Sequence, residues 1–141
     1  VSRMDNLQAA ILNFRLKYLK KIIKKRRENA KIYFKYLNKK FIFIPKENKK
    51  EFNTYHTFVV QVNNRNLLQK YLKKKGIGTA IHYPIPIHMQ PAFKKLNYKT
   101  NKLPKTEGQS KKIITLPIHQ YLKLSDIKKI CKVINNFYEN K

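Results

Sequence analysis

The sequence predicts a two-layer α/β domain, with helices packed on one face of a mainly antiparallel sheet and a long helix leading into it. Three observations carry that expectation. Apolar residues recur at helical spacing over the N-terminal segment, over residues 65–75 and over the C-terminal segment. Short runs rich in aromatic and β-branched residues, bounded by proline, glycine or asparagine, lie between them. The resulting order of helix, helix, strand, helix, strand, loop, strand, helix suits one small layered domain, and 141 residues are enough to bury a core.

Ser2-Arg3-Met4-Asp5 has the form of a capping box, a hydroxyl three positions before an acid, and predicts a helix start. Beyond it Leu7, Ile11, Phe14, Tyr18 and Ile22 form one stripe, and Leu12, Leu16, Leu19 and Ile23 form a second. Lys17, Lys20, Lys21 and Lys24 fill the remaining sector, so one long helix is expected between two bodies, one of them outside this chain. Helix continues over Arg26–Leu37, with Ala30, Tyr33, Phe34 and Leu37 on one face. Residues 1–38 are therefore read as the long helix and its successor, and 39–141 as the α/β domain.

A short apolar run, Phe41–Ile44, ends at Pro45, and Tyr55–Val62 reads as a largely buried strand. Asn63 and Asn64 offer a cap to a helix whose apolar face is Leu67, Leu68, Tyr71 and Leu72, and Gly76 suits the left-handed position just past its end. Ile77–Ile81 is expected as a strand, Pro91–Lys112 as surface loop with one short helix near Ala92–Leu96, and Ile113–Leu116 as a strand closed by Pro117. Ser125-Asp126 should cap a last helix that buries Ile127, Ile130, Cys131, Ile134, Phe137 and Tyr138 on one face.

A formal charge of +26 first suggests a polyanionic partner. The excess is nearly all lysine, however, with only Arg3, Arg15, Arg26, Arg27 and Arg65 able to make the forked contacts typical of base and phosphate recognition. No zinc finger, RNP1-like segment or GXXG loop accompanies the charge. A basic nucleic-acid or polyanion-binding module is thus kept as the alternative. No apolar run approaches the roughly 20 residues of a membrane helix, Cys131 is the lone cysteine and falls on an apolar helix face, and a cytoplasmic setting is expected. Val1 is not an initiator methionine, so the chain is read as part of a longer protein.

Chemistry concentrates in Ile81–Gln90. Pro84 and Pro86 fix their own φ and keep the preceding residues extended, so the segment should be a stiff loop presenting His82, Tyr83 and His88. The two histidines lack a third ligand nearby, Glu107 being the nearest acid downstream, and a metal site is not expected. With glycine only at 76, 78 and 108 there is no phosphate loop, and seven scattered carboxylates offer no acid/base pair. Arg3 at a helix N-terminus and the His82-Tyr83 pair suit a phosphorylated ligand. The plainer alternative makes Arg3 a surface residue and Tyr83 a packing group.

Four blocks appear in order: Ser2-Arg3-Met4-Asp5-Asn6-Leu7-Gln8-Ala9-Ala10-Ile11-Leu12, Gly76-Ile77, His82–Gln90, and Leu116-Pro117-Ile118-His119. Together they resemble the C-terminal part of the pyridoxal-phosphate-dependent sugar aminotransferases of the DegT/DnrJ/EryC1/StrS family. The resemblance implies the small domain of a fold-type I transferase. It also implies a homodimer with active sites at the subunit interface, and transfer of an amino group from glutamate through pyridoxal 5'-phosphate to a nucleoside-diphosphate keto-sugar in amino-sugar or surface-polysaccharide synthesis.

By motif position, Arg3, His82 and Tyr83 would contact the nucleotide-sugar, Arg3 reaching a site in the partner subunit. The lysine that forms the Schiff base would lie upstream of Val1, leaving this segment inactive alone. Family members often carry asparagine immediately before Ser-Arg as a cofactor-phosphate contact. Val1 stands there, so no cofactor ligand is assigned. Relatives that replace the Schiff-base lysine are dehydratases, and that reading stays open.

Overall fold

The computed structural model describes residues 3–96 and 103–140, with the backbone alone at 94–96. Asp5, rather than Ser2, caps the first helix. Its carboxylate accepts from the Gln8 backbone N–H at 2.8 Å, and the Gln8 side chain accepts in return from the Asp5 N–H at 3.4 Å. Ser2 lies outside the described residues. A single long helix was expected here, but helix α1 (Asn6–Leu16) ends at Lys17-Tyr18 and α2 (Leu19–Tyr36) begins anew.

The two differ sharply in burial. No residue of α1 is buried, so both of its apolar stripes are open up to Leu19, and neither is covered by the described residues. Further along, α2 turns its Asn29-Ala30 and Tyr33 face into the core.

Among the described residues three strands form one antiparallel sheet in the order β1 (Ile42–Phe43), β2 (Phe58–Val62, shorter than the expected Tyr55–Val62) and β3 (Ile113–Leu116). Ile42 pairs with Val62, and Phe58, Val59, Val60 and Gln61 pair with Leu116, Thr115, Ile114 and Ile113. Alternation puts Phe58, Val60 and Val62 on the buried face. Tyr33 stacks on Phe58 at 4.7 Å between centroids and donates its hydroxyl to the Pro117 carbonyl at 2.8 Å, joining α2 to the far end of β3.

Helix α3 (Arg65–Lys74) contributes Leu68 and Leu72, and α5 (Leu124–Glu139) contributes Ile127, Ile130, Cys131 and Ile134, to the same cluster. As expected, α5 buries one face at a three-to-four spacing. It starts earlier than Ser125, however: Lys123 is the cap, and Asp126 accepts from its backbone N–H at 3.2 Å. Asn64 caps α3 in the left-handed conformation without a side-chain capping bond.

Two other expectations need correction. Ile77–Ile81 is not a strand; only Ala80 bridges to Thr115. The short helix expected near Ala92–Leu96 is present as a 3-10 turn over Pro91–Leu96, but where loop was expected after it a fourth helix, α4 (Pro104–Lys112), runs directly into β3; 97–102 lie outside the described residues. Pro104 sits at its start, where no N–H is needed. Its buried residues are polar, Glu107 and Ser110, which is why no apolar period announced it. Among the described residues no helix is long and apolar enough to cross a membrane.

Candidate functional site

The proline loop is held at both ends. At its entry Ala80 exchanges two backbone bonds with Thr115, of 3.2 and 2.8 Å, and His82 Nδ1 lies 3.0 Å from the Thr115 hydroxyl. At its exit a 3-10 turn over Ile87–Met89 is closed by Met89 N–H to the Pro86 carbonyl at 2.9 Å. His88 Nε2 then lies 3.1 Å from Glu107 Oε1, with the two side chains only 8% and 10% exposed. At that distance the imidazole Nε2 and the carboxylate oxygen share one hydrogen bond.

Between these anchors the His82 and Tyr83 rings meet edge-on at 5.6 Å, and Tyr83 is 74% exposed. Burying no part of a core, the phenol is free to meet a ligand. Between loop and α4 opens a cleft of about 530 Å³, whose walls include Tyr83, His88, Gln90, Phe93, Thr106 and Gln109. Apolar rings beside amides and hydroxyls make it a surface that can take a polar organic molecule.

Of the residues singled out from sequence, the structure therefore brings His82 and Tyr83 together. Arg3 is exposed ahead of α1, and no hydrogen bond, ion pair or ring contact joins it to either of them among the described residues. The Leu116–His119 block serves the fold: Tyr33 holds the Pro117 carbonyl and Asn29 Nδ2 donates to the His119 carbonyl at 2.9 Å. Sequence reading missed the His88–Glu107 pair. Its one signal was that Glu107 is the only acid between Glu51 and Asp126. No group of three or more metal-ligating side chains occurs among the described residues.

The charged residues divide by type. Arg65 is buried and donates to the Ile113 carbonyl at 3.3 Å; Arg26 donates to the His56 carbonyl at 3.2 Å; Arg27 forks onto both Glu47 oxygens at 2.8 and 2.9 Å. Three of the five arginines thus brace the protein itself. Every lysine whose side chain is described is exposed. A lysine that forms an imine with pyridoxal phosphate needs a shielded setting that lowers its pKa. No described lysine has one, so these residues alone do not fit that cofactor.

The sequence profile of the DegT/DnrJ/EryC1/StrS aminotransferase family matches residues 1–135. The UDP-2-acetamido-2-deoxy-3-oxo-D-glucuronate aminotransferase of Pseudomonas aeruginosa is 36% identical over 96% of this chain and 37% of its own length. The dTDP-3-amino-3,6-dideoxy-alpha-D-galactopyranose transaminase of Aneurinibacillus thermoaerophilus is 34% identical over 96% of this chain and 37% of its own. The crystal structure of S. venezuelae DesV superposes with a TM-score of 0.92 at 28% identity, over 97% of this chain and 37% of that one. This chain thus spans little more than a third of the relatives it matches. With the profile matching nearly every residue and the fold superposing on a solved structure over 97% of the chain, the chain belongs to the DegT/DnrJ/EryC1/StrS aminotransferase family.

Proposed function

We propose that residues 1–38 are the interdomain helical segment, and residues 39–141 the small domain, of a sugar aminotransferase that uses pyridoxal phosphate. Its substrates are glutamate and a nucleoside-diphosphate keto-sugar, and its product enters amino-sugar or surface-polysaccharide synthesis. The observation that carries this reading is the family match over residues 1–135, joined to relatives named for aminating nucleotide-linked sugars. When bound, pyridoxal phosphate supplies the electron sink for amino transfer. It belongs to the larger part of the protein, outside this chain.

This chain's own residues bind and orient. The Tyr83 hydroxyl and the His82 imidazole, stacked edge-on at the loop's exposed tip, offer donors to sugar hydroxyls or diphosphate oxygens. Arg3 lies apart from them within one chain, and a homodimer that seats it in the neighbouring subunit's site would give it the diphosphate as partner.

The test uses the uninterrupted reading frame that contains this chain. Purified with pyridoxal phosphate and glutamate, and offered a panel of UDP-, dTDP- and GDP-linked keto-sugars, the protein is expected to release 2-oxoglutarate in step with amino-sugar. His82→Ala and Tyr83→Ala are each expected to raise KM for the sugar about tenfold, the loss of one hydrogen bond of roughly 1.4 kcal/mol. Loss of water from the sugar without glutamate consumption would select the dehydratase reading. Turnover of no sugar, together with DNA binding that falls steeply with salt, would select the polyanion binder that the charge of +26 favours.

A further inference from the structure

We infer that His88 and Glu107 are positioning residues that set the reach of His82 and Tyr83, an inference that rests on the reading of those two side chains as substrate contacts. The proline loop is pinned at one end to Thr115 and at the other to Glu107. Both anchors belong to one continuous piece of backbone, because α4 ends at Lys112 and β3 begins at Ile113. The loop is therefore clamped across a single bracket and cannot change its span unless the bracket bends. Pro84 and Pro86 lie inside the clamped stretch and remove the slack that would let it absorb a lost anchor.

Glu107 is fixed in turn. It sits near the middle of α4, and its backbone carbonyl accepts from the Ser110 hydroxyl at 2.8 Å. Shielding matters here. An ion pair in water would restrain little, whereas a bond between side chains 8% and 10% exposed is not traded readily for solvent. His88 also lines the cleft between loop and α4, so the same bond fixes the cleft's width. A shift of about 1 Å at such a strut is enough to spoil the alignment of groups that it does not touch.

The experiment uses the full-length enzyme and whichever sugar of the panel it turns over. Glu107→Asp keeps the charge but shortens the reach; Glu107→Gln keeps the acceptor and the length. Glu107→Asp is expected to raise KM for the keto-sugar about tenfold, with the rate of the glutamate half-reaction as in wild type. Amide exchange in a peptide covering 82–88 should accelerate while β2 and α5 stay protected. Glu107→Gln should restore both readouts.

An unchanged KM and unchanged loop exchange in Glu107→Asp overturn the inference, as does a Glu107→Gln enzyme as impaired as Glu107→Asp. Unchanged KM in His82→Ala and Tyr83→Ala overturns the substrate-contact reading and the positioning role with it. Raised KM in those two beside a normal Glu107→Asp overturns the positioning role alone.

Discussion

Glu47 closes the segment between β1 and β2 onto α2 through a set of bonds that depends on its charge. Both of its oxygens accept from Arg27, one also accepts the Asn53 N–H, and the Arg27 guanidinium lies 4.4 Å from the centre of the Phe52 ring. The Arg27 hydrogen bonds, and after them the Asn53 N–H, hold the Glu47 carboxyl below its ordinary value, and the same pairing raises Arg27. A carboxylate whose pKa is lower folded than unfolded binds more protons in the unfolded chain. Its contribution is therefore complete above the ordinary glutamate value of about 4.3 and is lost as pH falls through the lowered folded value. Amide exchange at Asn53, taken relative to its intrinsic rate at each pH, should thus be flat from neutrality down to the ordinary carboxylate range and rise below it. Glu47→Gln should remove that rise; a variant that keeps it would show that another group is responsible. None of this was legible beforehand, because Arg27 and Glu47 are far apart in sequence and in a segment with no periodicity.

At the scale of elements, what could be read from sequence depended on how each element buys its burial. α3 was legible in its stop and in Leu68 and Leu72 of its apolar face, whereas Leu67, expected on that face, is 53% exposed and the Arg65 side chain is buried in its place. Gly76 has φ +73°, its N–H bonds to the Lys73 carbonyl at 3.0 Å, and the Ile77 N–H bonds to the Leu72 carbonyl at 2.9 Å, with Ile77 buried behind them. A Cβ added at Gly76 would meet nothing within 4 Å, so only the backbone conformation opposes it. Gly76→Ala is expected to cost about 1 kcal/mol in urea unfolding with an unchanged m-value. No loss at all would mean that the helix end adjusts. α5 and β2 were legible for the same reason as α3: each hides apolar side chains at its own period. α4 was not, since it hides a carboxylate and a hydroxyl, and Ile77–Ile81 misled because a β-branched start did not lead to sheet pairing beyond Ala80. The loop's histidine and tyrosine could be found from composition, but the helix that steadies the loop could not.

For the molecule as a whole, two surface features oppose one another. Leu7, Ile11, Leu12, Phe14 and Leu16 of α1 are 50 to 71% exposed, a contiguous apolar surface of the kind that marks an interface. Against them stands a net charge of +26, which makes copies of the chain repel. Salt decides between them. It screens the charge over a Debye length of about 8 Å at physiological strength while leaving apolar contact intact. If α1 is a surface to be covered, the isolated chain should associate more strongly as salt rises, the reverse of a polyanion binder, whose complexes weaken. Sedimentation of the chain at rising salt should therefore show growing association and binding of an apolar dye. Ile11→Glu combined with Phe14→Glu should abolish both. Because no residue of α1 is buried, that double variant should leave the thermal midpoint of the α2–α5 core where it was. A chain that remains monomeric and dark to the dye at high salt would remove the need for any cover on α1, and with it the physical support for the subunit and interdomain contacts that the family assignment leads one to expect.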